Sequence, residues 1–212
     1  MRCKAYYRIS LAVNGLFLIT LITLGYLFRE DIFRGDGEEV DNPKIVMFGD
    51  SLIEMGNWQK LLGQTDLLNH GIGGFTTSHF IWVIHKKVIK YQPEICIMDG
   101  GINDISVGIP LDRTIKNYRS LIDTLLLHGV QPIVNSTVYQ RNNPFSKVMV
   151  DSLNQFLNEY CNQKGVIYLD INSKLSSDKG LKPEYTTDGT HLTPDAYQIW
   201  GTEIKRVLSE PK

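Results

Sequence analysis

The run Lys44-Ile-Val-Met-Phe-Gly-Asp-Ser51 is short, apolar and stops abruptly at Gly-Asp-Ser. Four consecutive apolar residues, Ile45 to Phe48, between Pro43 and Gly49 predict a buried strand. Leu52-Ile-Glu-Met suits the first turn of a helix. Ser51 then stands where a strand gives way to a helix, at the carboxyl edge of a sheet. Open α/β sheets place their ligands at that edge, and the N–H groups of a starting helix are unpaired and point outward. A serine so placed either caps the helix or serves as a nucleophile with an anion hole beside it. Taken alone, an Asp-Ser pair favours the cap. Asp188-Gly-Thr-His191, near the other end of the chain, supplies the acid and base that favour the nucleophile.

The segment from Lys44 to Leu208 alternates short β-branched runs with longer amphipathic stretches. Strands are expected at 45–48, 66–69, 94–98, 131–135 and 166–169. Helices are expected at 57–63, 76–90, 111–128, 145–164 and 194–208. This alternation predicts βαβ units, a parallel sheet and an α/β fold, with right-handed connections. Residues 44–212 are thus read as one domain and 29–43, Gly-rich and charged, as a linker.

Residues 1–8 contain Arg2, Lys4 and Arg8 and no acid, and Ile9–Phe28 carries no charge at all. As a helix that stretch would be about 30 Å long, enough to span a bilayer core. Leu24-Gly-Tyr-Leu-Phe-Arg29 offers no small-residue cleavage site. We therefore expect residues 1–28 to be a cytoplasmic stub and one transmembrane helix. The basic amino end places the domain on the extracytoplasmic side. A cleaved signal releasing a secreted or periplasmic domain is the alternative. A net charge of -1 over 212 residues gives no general affinity for nucleic acid. The three cysteines, Cys3, Cys96 and Cys161, show neither metal spacing nor a disulfide framework.

Two further blocks follow predicted strands. Asn69-His-Gly-Ile-Gly-Gly-Phe-Thr-Thr77 fits neither the dinucleotide fingerprint nor a P-loop. By itself it is a tight turn, although the Gly74 N–H could face a developing oxyanion. Asp99-Gly-Gly-Ile-Asn-Asp104 places the Asn103 amide, a possible oxyanion donor, in what otherwise reads as a turn. In the last block the three-residue spacing of Asp188 and His191 lets the carboxylate fold back onto its own imidazole. No further ligands point to a metal, and His70, His79, His85 and His128 read as surface or structural.

Together Gly49-Asp50-Ser51, Gly74, Asn103 within Gly101-Ile-Asn-Asp104, and Asp188-Gly-Thr-His191 resemble the four blocks of the SGNH (GDSL) hydrolase family. The resemblance covers about residues 44–208. Gly71-Ile-Gly-Gly-Phe-Thr-Thr77 is also similar to the matching stretch of platelet-activating-factor acetylhydrolase catalytic subunits, with Phe75 where those carry an acid. The resemblance implies a flavodoxin-like three-layer α/β/α sandwich with a five-stranded parallel sheet. It implies a serine esterase working through an acyl-Ser51 without a cofactor or metal. His191 is then the base and Asp188 its orienting group. The N–H groups of Ser51 and Gly74 and the Asn103 side chain form the oxyanion hole. The expected partners are a small-molecule, glycan or lipid ester and, through Ile9–Phe28, the membrane. The polar stretch Tyr139–Phe145 favours a small acyl group on a polar carrier. Alternatives are a cell-envelope polysaccharide O-acyltransferase with the same triad and a binding module without activity.

Overall fold

The computed structural model describes residues 13–15, 17–20, 23, 40 and 42–210. The chain divides into two units, Met1–Asp36 and Gly37–Lys212. In the first, the described residues are helical, and Val13, Phe17, Leu18 and Ile19 are exposed. The expected span Ile9–Phe28 lies largely outside the described residues. Among the described residues no helix is long and apolar enough to cross a membrane.

The second unit opens with β1 (Ile45–Gly49), α1 (Ser51–Glu54), α2 (Trp58–Leu62), β2 (Leu67–Gly71) and α3 (Thr77–Lys87). It continues with β3 (Ile95–Met98), α4 (Ile102–Ser106), α5 (Leu111–Leu127), β4 (Gln131–Asn135) and α6 (Pro144–Lys164). The last elements are β5 (Ile167–Leu169), α7 (Asn172–Leu175), the short strands β6 (Ser176–Ser177) and β7 (Gly180–Leu181), and α8 (Pro194–Ser209). The expected helix at 76–90 stops at Lys87 and passes into a 3₁₀ turn, Ile89–Tyr91. The expected strand at 66–69 is shifted to Leu67–Gly71. Asp99–Asp104, read as a turn, is one only as far as Gly101. Its φ of 96° ends the loop, and α4 begins at Ile102.

Strands β1 to β5 form one parallel sheet in the order β2-β1-β3-β4-β5. The register aligns Phe48 with His70 on one side and with Met98 on the other. This is the doubly wound order whose crevice opens at the β1/β3 switch point. Alternate side chains of each strand feed two cores. One contains Ile45, Met47 and Ile97 under Trp58, Tyr197 and Trp200 of α2 and α8. The other contains Val46, Phe48, Cys96 and Met98 under α3, α5 and α6. Helix α5 reaches the second core through Tyr118, Leu121, Ile122 and Leu125, the spacing of one helical face. Cys96 and Cys161 are buried free thiols within that core.

A candidate active site at the β1/β3 switch point

Ser51 occupies the first position of α1, directly after β1. The cap of this helix is Asp50, whose Oδ1 accepts the Leu52 N–H at 3.0 Å. Capping is therefore done by the neighbour, and the Ser51 hydroxyl remains available. The short helix is held from several sides. Tyr197 Oη donates to Leu52 O at 2.8 Å, and Trp58 Nε1 donates to Ile53 O at 2.7 Å. Asn69 Nδ2 reaches Ile53 O at 3.0 Å and Glu54 O at 3.2 Å. Those bonds satisfy carbonyls that a four-residue helix cannot pair for itself.

The loop 186–192 brings the acid and base to Ser51. It is closed at its base by a bridge between Thr186 and Leu192, and its Gly189 has a φ of 96°. The turn folds Asp188 back on its own loop. Asp188 Oδ1 accepts the N–H groups of Thr190 and His191 at 2.9 and 2.8 Å, and Oδ2 meets His191 Nδ1 at 2.7 Å. These bonds, led by the one from His191, hold the Asp188 carboxyl well below the usual range. It is therefore ionised at neutral pH. That carboxylate fixes the proton on Nδ1 and leaves Nε2 as an acceptor. His191 Nε2 lies 3.1 Å from Ser51 Oγ. The Ser51–His191–Asp188 line expected from sequence is thus formed by residues 140 positions apart along the chain.

Three donors were expected to surround an oxyanion. The N–H groups of Ser51 and Gly74 make no hydrogen bond within the protein among the described residues. Gly74 adopts a φ of 75°, which favours glycine. Asn103, near the start of α4, donates through Nδ2 to Phe75 O at 3.0 Å and makes a longer contact, 3.4 Å, with Asp50 Oδ2. One hydrogen is thereby anchored and the other is held loosely. The amide is thus tied to the Gly74 loop and to the cap of the Ser51 helix at once. His79 closes a capping box with Thr76, which sets the start of α3 just beyond that loop.

Several contributors escaped the sequence reading. Asp104 is fully buried and accepts the Thr77 N–H at 2.8 Å and the Thr114 hydroxyl at 3.3 Å, joining α3 and α5 to the foot of α4. Burial raises the carboxyls of Asp50, to about 7, and of Asp99. For Asp99 the Asp50 charge beside it adds to the rise, and the backbone N–H of Gly100 opposes it. Gln140 Nε2 bridges Ser106 Oγ and Thr190 Oγ1 at 3.4 and 3.3 Å. It thereby joins the end of α4 to the His191 loop. Gln140 and Arg141 of the polar stretch after β4 thus contact the loop that carries His191.

The site lies near the surface. Ser51, Asn103 and His191 are half-buried, while Gly73, Gly74 and Asp188 are exposed. A hydroxyl facing an imidazole nitrogen, an ionised acid behind it and unpaired N–H groups beside it are the equipment for acyl transfer through a covalent intermediate.

Comparison with known proteins agrees with this chemistry. Residues 47–199 match the GDSL-like Lipase/Acylhydrolase family, and the chain belongs to it. An N-acylneuraminate cytidylyltransferase of Streptococcus agalactiae is 28% identical over 145 residues, covering 68% of this chain and 35% of that protein. The chain thus spans about a third of that relative's length. A GDSL esterase/lipase of Arabidopsis thaliana is 24% identical over 203 residues, 79% of each chain. The rat platelet-activating factor acetylhydrolase IB subunit alpha1 is 32% identical over 79 residues, 35% of this chain and 34% of that one. The similarity to that subunit read from residues 71–77 is thereby supported. Among solved structures, a GDSL-like lipase of Bacteroides thetaiotaomicron superposes with a TM-score of 0.72 at 20% identity, covering 86% of this chain and 96% of that one. This confirms the fold.

Proposed function

We propose that the protein hydrolyses esters of short acyl groups, acetyl above all, on a polar alcohol, through an acyl-enzyme on Ser51. The observation that carries this reading is the unbroken line from Asp188 Oδ2 through His191 to Ser51 Oγ, 2.7 and 3.1 Å long. His191 Nε2 takes the hydroxyl proton as Oγ bonds to the ester carbon. The negative charge collects on the former carbonyl oxygen, facing the Ser51 and Gly74 N–H groups and Asn103 Nδ2. The imidazolium then returns the proton to the leaving alcohol as its C–O bond breaks. Water attacks the acyl-Ser51 with the same base, releasing the acid.

A short acyl group follows from exposure. Gly73 and Gly74 stand open to solvent beside Ser51, so a long chain would find little apolar surface to bury. The acetylhydrolase relative agrees with that choice. The test is Ser51→Ala, compared with the parent on a series of chromogenic esters and with a fluorophosphonate probe. The parent should be fastest on acetate and labelled at Ser51, and the variant inert to both. Labelling of the variant at the parental rate would sink the assignment. Alcohol released only as a single-turnover burst, with acyl later moving to an added glycan, would indicate a transferase instead.

The same reading extends to the amino end. We infer that Ile9–Phe28 anchors the domain on the extracytoplasmic face, because it is uncharged and Arg2, Lys4 and Arg8 precede it. Protease added to intact cells or spheroplasts should release a domain-sized fragment. A soluble mature protein beginning near residue 30 would show a cleaved signal.

A further inference from the structure

The chain leaving β4 is locked in place beside the His191 loop. Arg141 N donates to Gly189 O at 2.8 Å, and Asn142 N donates to Lys179 O at 2.8 Å in the β6–β7 turn. Gly180 packs so tightly here that a Cβ on it would lie 2.0 Å from Gln140 O, and one on Gly189 would lie 3.8 Å from Arg141 Cβ. The backbone of 140–142 is therefore clamped on two sides, and the Arg141 side chain leaves it next to Gly189, two residues before His191.

The guanidinium at the end of that side chain is uncommitted. Arg141 is exposed and makes no ion pair, side-chain hydrogen bond or ring contact among the described residues. Arg206, by contrast, is paired with Glu203 and Glu210, and Arg119 lies over Phe156 and Tyr160. The carboxylate nearest in sequence to Gly189 is Asp188, and both its oxygens are already engaged by Thr190 and His191. A planar cation rooted in a fixed backbone and left without a partner is suited to bidentate recognition of an anion.

Position decides which part of an ester would carry that anion. The oxyanion donors, Gly74 and Asn103, lie on the side of α3 and α4. His191 delivers the proton to the leaving oxygen, so the alcohol faces the 186–192 loop, where Arg141 is anchored. We propose that Arg141 is a specificity-determining residue that binds a carboxylate or phosphate group on the alcohol part of the ester. This inference rests on the esterase reading of Ser51.

The experiment compares three aryl acetates of matched shape: para-acetoxyphenylacetate, para-acetoxybenzylphosphonate and the neutral para-acetoxyphenylacetamide. The quantity read is the ratio of kcat/KM for each anion to that for the amide, in the parent, Arg141→Gln and Arg141→Lys. The parent should favour at least one anion by about fivefold at low salt, the scale of an exposed charge pair. The preference should reside in KM and fade in about 0.5 M salt. Arg141→Gln should bring the ratio to about one, and Arg141→Lys should fall between. The arm with the larger ratio identifies carboxylate or phosphate as the group bound. A parental ratio near one, or the same ratio in Arg141→Gln, would overturn the inference while leaving the esterase reading intact. Failure of the parent on all three acetates would overturn both.

Discussion

Gly71→Ala should cripple turnover although the residue touches no substrate. Gly71 ends β2 and pairs with Gly49, the residue that precedes Asp50 and Ser51. A Cβ there would lie 2.0 Å from Glu54 N, 2.5 Å from Glu54 Cα and 2.6 Å from the Ile53 carbonyl carbon. These are backbone atoms of α1 and cannot swing aside as a side chain would. Ordinary contact begins at 3.4 Å, so α1 and the end of β2 must part by about 1.4 Å. The helix cannot yield freely, because Tyr197, Trp58 and Asn69 hold its carbonyls. The separation then falls partly on the 3.1 Å gap between Ser51 Oγ and His191 Nε2. A displacement of about 1 Å at a reacting group costs roughly 10²-fold. The strain itself should cost about 1–3 kcal/mol, lowering Tm by about 2–12 °C. The assay is steady-state hydrolysis of an aryl acetate beside a thermal melt. We expect kcat to fall by about 10²-fold with KM little changed. A variant within about twofold of the parent in kcat, with an unshifted melt, would refute the argument that β2 sets the position of Ser51.

Two other outcomes follow from the site. Asn103→Ala should lower kcat by about 10²–10³-fold, the usual loss for one oxyanion donor, and a kcat within about twofold of the parent would reduce Asn103 to a tether between Phe75 and Asp50. The second concerns pH: burial raises Asp50 from 3.8 to about 7, so between those values the folded protein binds more protons than the unfolded chain, and stability falls as pH rises through that window. At about 1.4 kcal/mol per pH unit the full effect is about 4 kcal/mol. Asp50→Asn keeps the Leu52 cap and should lessen the fall between pH 5 and pH 7 in urea titrations, the raised Asp99 carboxyl sustaining the remainder, whereas a parent with no such fall would refute the burial argument. Asp188 has the opposite sign. Its carboxyl is depressed, so its contribution is lost only as pH falls below the ordinary carboxylate range.

What could be read from the sequence depended on whether a signal was local or periodic. The strands at Ile45–Gly49 and Ile95–Met98 are nearly continuous apolar runs. The faces of α5 and α8 recur at helical spacing. Asp188 and His191 were legible because three residues and a glycine suffice to fold one onto the other. Ser51 joined them only through topology, since no local pattern links positions 140 apart. Helix α4 was read as a turn because Gly-Gly-Ile-Asn-Asp has no apolar period, and its start depends on Gly101 and on Asp104 reaching Thr77. Gln140 and Arg141 were noticed as polar, but their attachment to the catalytic loop runs through a backbone N–H and the small volume of Gly180. Neither leaves a residue-type signature.

The division of labour between Asp50 and Ser51 explains how a strand-to-helix turn can carry a reactive hydroxyl. Either side chain could cap α1. Had Ser51 done so, its oxygen would have been spent on the helix. With Asp50 as cap, one of its carboxylate oxygens satisfies Leu52 N and the other contacts Asn103 Nδ2. The same group therefore fixes the helix that presents Ser51 and steadies an amide on the opposite side of the crevice. It does so from full burial, which by itself disfavours charge on a carboxylate. The cost of holding Asp50 there is borne by the fold, through β1 and the layers packed on it. Ser51 is left to face only His191.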